Sequence, residues 1–285
     1  GRAMTPYNYI GATGIVTAAD LYTVRDCCAL TPWSHRFMAG VLVSAKTLRG
    51  EYTESRRYPA VAQVDAILSE CARHGAWPVV HYNTRANGNA LTMELAALVR
   101  AFPSMRGLQL NVVRPSPSAV NAFAVDHPHI EAIVQMNRAA FGDPPVPADA
   151  ILYARDYPNA SHALLDLSGG RGEDIDTSFA AQVARAWPHA GGLGVAGGLG
   201  PDAETTLRAL RDDLGADRFA ILSFDAESRV RVPVEDPIAG GKHQDRLDRD
   251  RALAWVSLIA KMVERCPRAS SPPTRRRRSP RSGAV

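Results

Sequence analysis

The sequence predicts an α/β protein with a (β/α)8 fold, the TIM barrel, and three observations favour this class. Eight short apolar runs alternate with helical patterns between Tyr9 and about Arg268. Most of these runs are continuously apolar, as expected for parallel strands that are covered on both faces. The chain of 285 residues has the length of one such barrel. An open, doubly wound sheet is the alternative, because one sequence does not reveal the order of the strands.

Apolar runs of four to eight residues mark the predicted strands. These strands are Tyr9–Thr13, Phe37–Ser44, Pro78–Asn83, Gly107–Val112, Ile130–Asn137, Ala163–Ser168, Gly192–Ala196 and Phe219–Phe224. Each is followed by turn residues and then by a segment with helical spacing, which is the alternation that a parallel sheet requires.

Apolar residues at helical spacing fill the segments between the strands. The predicted helices are Ala18–Leu30, Pro59 to about His74, Ala90–Phe102, Ser116–Asp126, Thr177–Trp187, Pro201–Leu214 and Gln244–Arg265. Thr17 is expected to cap the first helix, and Pro201 with the acids after it is expected to open the sixth. Between Asn137 and Ala163, the prolines at 144–147 leave room only for a short helix that starts late.

Composition divides the chain into one predicted barrel domain, residues 4–268, and a flexible tail, residues 269–285. The tail is rich in Ser, Pro and Arg and has no apolar period, which is typical of disorder. Its five arginines, at 275–278 and 281, exceed the whole net charge of +4, so the predicted barrel is near neutral. The tail either contacts nucleic acid or is a solvated terminus. The lack of aromatic residues among the arginines argues against nucleic acid.

Several functional classes are excluded by composition. No apolar stretch approaches the roughly 18 residues of a membrane span, and the amino end lacks a basic-then-apolar leader. We therefore expect a cytoplasmic protein with no membrane partner. The four cysteines and eight histidines lack the spacings of metal sites, so we expect no metal and no other cofactor. The sequence leaves open whether the protein is a monomer or a homodimer.

Polar residues that follow the predicted strands are the candidate site residues, because the active site of a (β/α)8 barrel lies at the carboxyl ends of its strands. They are Thr13, Lys46, Arg57, Asn83, Gln109, Asn111, Asn137, Asp166, Asp225 and Ser228. Asn83 and Asn111 are expected to line the pocket without transferring protons. His81 is expected to point away from Asn83, toward the helices.

Two glycine-rich turns predict a phosphate-binding site. The segments Leu164–Gly172 and Gly194–Asp202 each pass from an apolar strand into glycines and then into a helical pattern. Bare N–H groups at such turns, beside a helix amino terminus, bind anions. The predicted substrate- and phosphate-binding residues are Gly169, Gly170, Gly172, Gly197 and Gly198, with Asp225, Ser228 and Arg229 from the loop after the eighth strand. We expect the ligand to be a small phosphorylated metabolite.

Several fragments occur in the order found in one known family. They are Ala12-Thr13-Gly14-Ile15-Val16, Gly40-Val41-Leu42-Val43, Ser55-Arg56-Arg57-Tyr58, Leu108-Gln109-Leu110-Asn111, Leu164-Leu165-Asp166, Ala196-Gly197-Gly198-Leu199-Gly200-Pro201-Asp202 and Gly240-Gly241-Lys242-His243. Together they resemble phosphoribosylanthranilate isomerase, the barrel enzyme of tryptophan biosynthesis. The resemblance spans roughly Tyr9 to Val263. It implies a (β/α)8 isomerase that performs an Amadori rearrangement of an aminated ribose phosphate.

The resemblance also implies roles for three residues. Asp166 would be the acid that protonates the sugar ring oxygen, and Arg57 would orient or stabilise the substrate. Thr13 stands where the family has its catalytic base, a cysteine. A threonine hydroxyl is too weakly acidic for that role near neutral pH without an activating partner. The chain is therefore an isomerase of this substrate, an enzyme for another phosphorylated sugar or nucleotide, or a barrel that binds such a ligand without turnover.

Each of these residues also has a purely structural explanation. Asp166 could cap the turn after its strand, and Arg57 could be a surface charge beside Arg56. Thr13 could be a structural residue or a ligand contact, and the Gly197–Gly198 pair could serve only as a tight turn. These alternatives stay open at the level of the sequence.

Overall fold

Eight parallel strands form the centre of the protein. The computed structural model describes residues 7–51, 55–141, 145–167, 174–187, 192–235 and 244–264. The strands are β1 (Asn8–Thr13), β2 (His35–Ser44), β3 (Trp77–Asn83), β4 (Gly107–Asn111), β5 (Glu131–Met136), β6 (His162–Leu165), β7 (Gly192–Val195) and β8 (Ser223–Ala226). Each pairs with the next in chain order, and β1 also pairs with β8. The sheet is therefore a closed barrel, and the open doubly wound alternative is wrong.

Helices cover the outside of the barrel. They are α1 (Ala18–Leu30), α2 (Ala45–Leu48), α3 (Val61–Arg73), α4 (Gly88–Ala101), α5 (Pro117–Asp126), α6 (Pro147–Arg155), α7 (Thr177–Ala186), α8 (Glu204–Leu214), α9 (Ala216–Phe219) and α10 (Arg249–Glu264). Single 3-10 turns occur at Arg138–Ala140 and Ser228–Val230. The apolar faces of the helices and the outward side chains of the strands form one large buried core.

The local signals at α1 and α6 predicted these helices correctly. Thr17 Oγ1 accepts a hydrogen bond from the Asp20 amide at 3.3 Å, and the Asp20 carboxylate accepts one from the Thr17 amide at 2.8 Å. This reciprocal pair satisfies two backbone donors at the helix start, so α1 begins directly after Thr17. The fifth unit has only the short α6, which begins at Pro147 as the preceding prolines require.

Two predicted elements, the eighth strand and the last helix, have wrong boundaries. The eighth strand is Ser223–Ala226, because Phe219 ends the short helix α9 and is buried there. The last helix starts at Arg249 instead of Gln244, since Asp245–Leu247 pairs antiparallel with Arg231–Pro233. We call these two strands β9 (Arg231–Pro233) and β10 (Asp245–Leu247).

Two smaller boundary errors lie next to the predicted phosphate site. The sixth strand ends at Leu165, three residues before its predicted end at Ser168. The helix predicted to open at Pro201 begins at Glu204, because Pro201 and Asp202 lie in the preceding turn.

The barrel interior changes from apolar to polar along its axis. Inward side chains at the amino end and the middle form a buried apolar cluster that includes Tyr9, Met38 and Trp77. Nearer the carboxyl ends, several of the buried inward residues are polar. His81 is one of them: it contacts Thr13 and Met38. The prediction that His81 faces the helices is wrong, because residues two apart on a strand share a face, and His81 and Asn83 both point inward.

Candidate functional site

A polar cavity of about 330 Å³ opens at the carboxyl end of the barrel. Most of the residues predicted from the strand ends meet there. Those that line it are Arg57, Asn83, Gln109, Asn111, Asn137, Asp166, Gly197, Gly198, Asp225, Ser228 and Arg229. Lys46 lies in the short helix α2 and is not among the lining residues. The predicted ligands Gly169, Gly170 and Gly172 lie outside the described residues, as does the segment 240–243.

Thr13 lies beside the cavity floor, among buried polar groups. Its hydroxyl is 3.4 Å from a carboxyl oxygen of Asp225 and 3.3 Å from Nδ1 of His81. Burial lowers the pKa of His81 to about 3, so its ring is neutral at physiological pH. Thr13 therefore contributes a hydrogen-bonding hydroxyl to this buried polar group.

Asp225 is a carboxyl group whose protonated form the fold favours. It is the penultimate residue of β8, its side chain points inward, and only 6% of its surface is exposed. Burial raises its pKa well above the ordinary value, and the negative charges of Glu227 and Asp166 raise it further. Asp225 is therefore the better placed of the two carboxyl groups to donate a proton into the cavity.

Asp166 is the second carboxyl group of the cavity and follows β6. Gln135 Nε2 donates a hydrogen bond of 2.8 Å to Asp166 Oδ2. This amide fixes the orientation of the carboxylate. Asp166 and Asp225 are close enough for the charge of Asp166 to raise the pKa of Asp225. The cavity therefore contains two carboxyl groups in different environments, one hydrogen-bonded by an amide and one with a raised pKa.

Arg57 is buried at the cavity wall instead of lying on the surface. Its Nη1 donates to Glu227 Oε1 at 2.6 Å, and its Nε donates to Asp245 Oδ1 at 2.8 Å. Arg231 also donates to Asp245 Oδ1, at 2.7 Å, and reaches the backbone oxygens of Thr13 and Gly14. This four-residue ion network, Arg57, Glu227, Arg231 and Asp245, ties the β9–β10 hairpin to the end of β1 and neutralises the charge of Arg57.

The loops after β7 and β8 pack against each other at the cavity rim. Gly197 and Gly198 have φ of 99° and 58°, a left-handed backbone that glycine adopts without strain. Gly200 lies so near the next loop that an added Cβ would be 2.4 Å from Cβ of Arg229. Arg229 itself forms ion pairs with Asp174 and Asp202. Glycine-bordered backbone and a nearby arginine thus form the part of the rim where barrels commonly bind phosphate.

Amide side chains from β3, β4 and β5 form another wall, which we call the amide wall. It consists of Asn83, Gln109, Asn111, Gln135 and Asn137. Gln109 Nε2 donates to Asn111 Oδ1 at 3.1 Å. Gln109 Oε1 is buried and has no hydrogen-bond partner among the described residues.

Four residues of the site were not among the sequence candidates. Gln135 was predictable, because it lies two positions before Asn137 on the same inward face. Arg231 and Asp245 gave no local signal, since they reach β1 and Arg57 only through the β9–β10 hairpin. Glu227 directly follows β8, but its partner Arg57 is 170 residues away in the chain.

The fold and the site define a (β/α)8 barrel with a polar, carboxylate-bearing cavity at its carboxyl end. It is similar to phosphoribosyl anthranilate isomerase from Thermotoga maritima, with a TM-score of 0.57 and 16% identity over 90% of this chain and 98% of that chain. A phosphoribosyl anthranilate isomerase in complex with reduced 1-(o-carboxyphenylamino)-1-deoxyribulose 5-phosphate gives a TM-score of 0.55, also at 16% identity, over 90% of this chain and 98% of that one.

The likeness extends to another barrel enzyme. A truncated 3-deoxy-D-arabino-heptulosonate 7-phosphate synthase from Thermotoga maritima gives a TM-score of 0.54 at 13% identity, over 92% of this chain and 87% of that chain. Identities this low show a shared fold. No model of a known protein family and no curated protein matches the sequence.

Two further features of the described residues concern membrane spans and metal ligands. None of the helices there is long and apolar enough to cross a membrane. Within the same ranges, no group of three or more His, Cys, Asp or Glu side chains is placed to hold a metal ion.

Proposed function

We propose that the cavity binds a phosphorylated sugar and catalyses an Amadori-type aldose–ketose isomerisation. The observation that carries the proposal is the pair of carboxyl groups, Asp166 and Asp225, in one cavity bordered by the Gly197–Gly198 turn. Such an isomerisation needs an acid, a base and an anchor for the phosphate. A phosphorylated metabolite as ligand implies a cytoplasmic protein.

The phosphate anchor is assigned to the rim between the loops after β7 and β8. Gly197 and Gly198 line the cavity and have no side chains of their own to cover their backbone N–H groups, and Ser228 lies in the same cavity lining. The chain following this turn leads into α8, whose amino terminus is one turn further on. In this arrangement the dianion sits at the rim and the sugar extends toward the carboxyl groups.

Asp225 is proposed as the acid and Asp166 as the base. Asp225 gives its proton to the ring oxygen as the C1–O bond breaks, which leaves a C1=N iminium. Asp166 then removes the C2 proton; the electron pair of that bond forms C1=C2 while the C1=N π pair returns to nitrogen, which gives the neutral enolamine. Protonation at C1 and loss of the O2 proton complete the ketose with no external oxidant. The resemblance gives the acid's role to Asp166; the raised pKa of Asp225 supports the reverse distribution.

Arg57 and Thr13 are proposed to orient the substrate. Arg57 lines the cavity but is held by Glu227 and Asp245, so it presents a fixed N–H edge with little net charge. Thr13 hydrogen-bonds with Asp225 and so sets the direction of its carboxyl group. Neither side chain transfers a proton in this scheme.

A binding module without turnover is the second candidate. It is favoured by Thr13, which replaces the basic cysteine of the resembling family, and by the paired state of Arg57. Such a protein would bind the sugar phosphate and release it unchanged.

Turnover of two synthetic substrates separates these candidates. Phosphoribosyl conjugates of 2-aminobenzoate and 2-aminobenzamide would be incubated with the protein and the ketose product measured. We expect turnover of at least one, with kcat/KM reduced about 100-fold or more in Asp166→Asn and Asp225→Asn. Asp250→Asn, whose side chain is 92% exposed, is the control and should keep full activity.

Three other outcomes have definite meanings. Binding of ribitol 5-phosphate without turnover of either conjugate identifies a binding module. If ribitol 5-phosphate does not bind and neither conjugate is turned over, the proposed function is wrong. The protein could turn over a conjugate in vitro and still fail to restore growth of a tryptophan auxotroph that lacks the isomerase. That result would exclude only the substrate of tryptophan biosynthesis and would leave the isomerase activity standing.

A further inference from the structure

We propose that the end of the substrate opposite the phosphate is uncharged and donates a hydrogen bond to Gln109. This inference rests on the proposed function and specifies the substrate class of the same site. It assigns to the amide wall a neutral group with N–H or O–H donors, such as a carboxamide or a polyol, and excludes a carboxylate.

The first observation is the buried acceptor on β4. Gln109 is 3% exposed and lines the cavity, yet its Oε1 has no hydrogen-bond partner within the described ranges. Its Nε2 already donates to Asn111 Oδ1 at 3.1 Å, and that bond fixes the plane of the amide. A buried carbonyl oxygen without a partner is costly, and an incoming donor would satisfy it.

The second observation is the state of the cations around the cavity. Arg57 is engaged by Glu227 and Asp245, and Arg229 by Asp174 and Asp202. To pair with a cation among the described lining residues, a substrate carboxylate would have to displace an acidic side chain from one of these arginines. It would also approach the carboxylate of Asp166, and like charges in a partly buried cavity repel strongly.

The third observation is the composition of the amide wall itself. Asn83, Asn111 and Asn137 share the cavity lining with Gln109, and each carries both an acceptor oxygen and N–H donors. A wall of this kind matches a neutral group with mixed donors and acceptors. It offers a carboxylate no compensating charge.

A matched pair of ligands tests the inference. The two probes are 1-(2-carbamoylphenylamino)-1-deoxyribitol 5-phosphate and its 2-carboxyphenyl counterpart, which have nearly the same shape and differ in charge. Binding would be measured by titration calorimetry. We expect the carbamoyl probe to bind at least about tenfold more tightly. The affinities of sedoheptulose 7-phosphate and ribose 5-phosphate would be compared in the same way, to test whether hydroxyl groups serve as the donors.

Variants at Gln109 locate the effect. Gln109→Leu removes the acceptor and should weaken the carbamoyl probe, or the longer sugar phosphate, about tenfold while leaving ribitol 5-phosphate within about threefold. Gln109→Glu retains an acceptor oxygen and should bind the carbamoyl probe better than Gln109→Leu does. Gln63→Leu, an exposed position on α3, is the control and should change nothing.

The outcomes distinguish this inference from the proposed function. If ribitol 5-phosphate binds but the carboxy probe binds as well as the carbamoyl probe or better, the inference is overturned and the proposed function stands. The inference is also overturned if Gln109→Leu binds each probe as tightly as wild type does. If no sugar phosphate binds, both fail.

Discussion

Asp245 connects the site to the stability of the fold, and replacing it by asparagine should be costly. Its carboxylate accepts hydrogen bonds from Arg57 Nε at 2.8 Å and Arg231 Nε at 2.7 Å. The side chain of Arg231 is 1% exposed and that of Arg57 is 7% exposed, so neither arginine can turn to water when the charge is removed. Breaking a buried ion pair costs about 3–5 kcal/mol.

We expect Asp245→Asn to lower the free energy of unfolding by about 3 kcal/mol at pH 7, at the lower end of that range. Two features moderate the loss: Glu227 still pairs with Arg57, and the side chain of Asp245 is itself 19% exposed. Urea unfolding followed by circular dichroism would measure the change. Asp250→Asn, at a side chain 92% exposed, is the control and should change stability by no more than about 0.5 kcal/mol.

The pH dependence of the same variant provides an independent check. Burial by itself raises the pKa of Asp245, but hydrogen bonds from Arg57 and Arg231 outweigh burial and hold the pKa below its ordinary value. The unfolded value is about 3.9. The stabilisation that Asp245 contributes is therefore fully present above the unfolded pKa, and it is lost as the pH falls through the folded pKa. The difference between wild type and variant should shrink below about pH 4. A loss under about 1 kcal/mol at pH 7, or a difference that grows toward acid, would refute the reasoning.

Two further substitutions test the site. Asp225→Asn should be more stable than wild type at pH 7. Because the folded pKa of Asp225 is raised, the free energy of unfolding of wild type falls as the pH rises from the unfolded to the folded pKa value, by about 1.4 kcal/mol per pH unit. Urea unfolding from pH 4 to 8 should show that the difference in free energy of unfolding between variant and wild type increases with pH. A difference that stays constant would contradict this. Gly200→Ala should lower the free energy of unfolding by about 1–3 kcal/mol, because its Cβ would be 2.4 Å from that of Arg229. An unchanged urea midpoint would show that the two loops do not pack as described.

Local signals were sufficient for most of the fold. The Thr17 cap and the proline at the start of α6 fixed two helix starts, because each acts within a single turn. The eighth strand was misplaced because Phe219 and Phe224 belong to one apolar stretch, and both are buried in the structure. Burial alone does not distinguish a short helix from a strand over so few residues.

The site was predictable where it depends on strand alternation, and unpredictable where distant segments meet. Gln109 and Asn111 follow from the inward face of a single strand. Arg57 and Asp245 are 188 residues apart in the chain, and β10, which carries Asp245, was predicted as part of the last helix. Asp225 was predicted as a substrate- or phosphate-binding residue. Its raised pKa follows from burial inside the closed barrel, which a linear pattern does not encode.

Binding of ribitol 5-phosphate to wild type and to two variants of Gly198 tests the central proposal most directly. Gly198→Asp and Gly198→Asn both place a short polar side chain at φ 58°, a conformation that both residues tolerate, so they differ mainly in charge. Titration calorimetry should show that wild type binds ribitol 5-phosphate but not ribitol, and that Gly198→Asp binds at least about tenfold more weakly than Gly198→Asn. Equal binding of ribitol, or equal affinity of the two variants, would show that no phosphate lies at this rim.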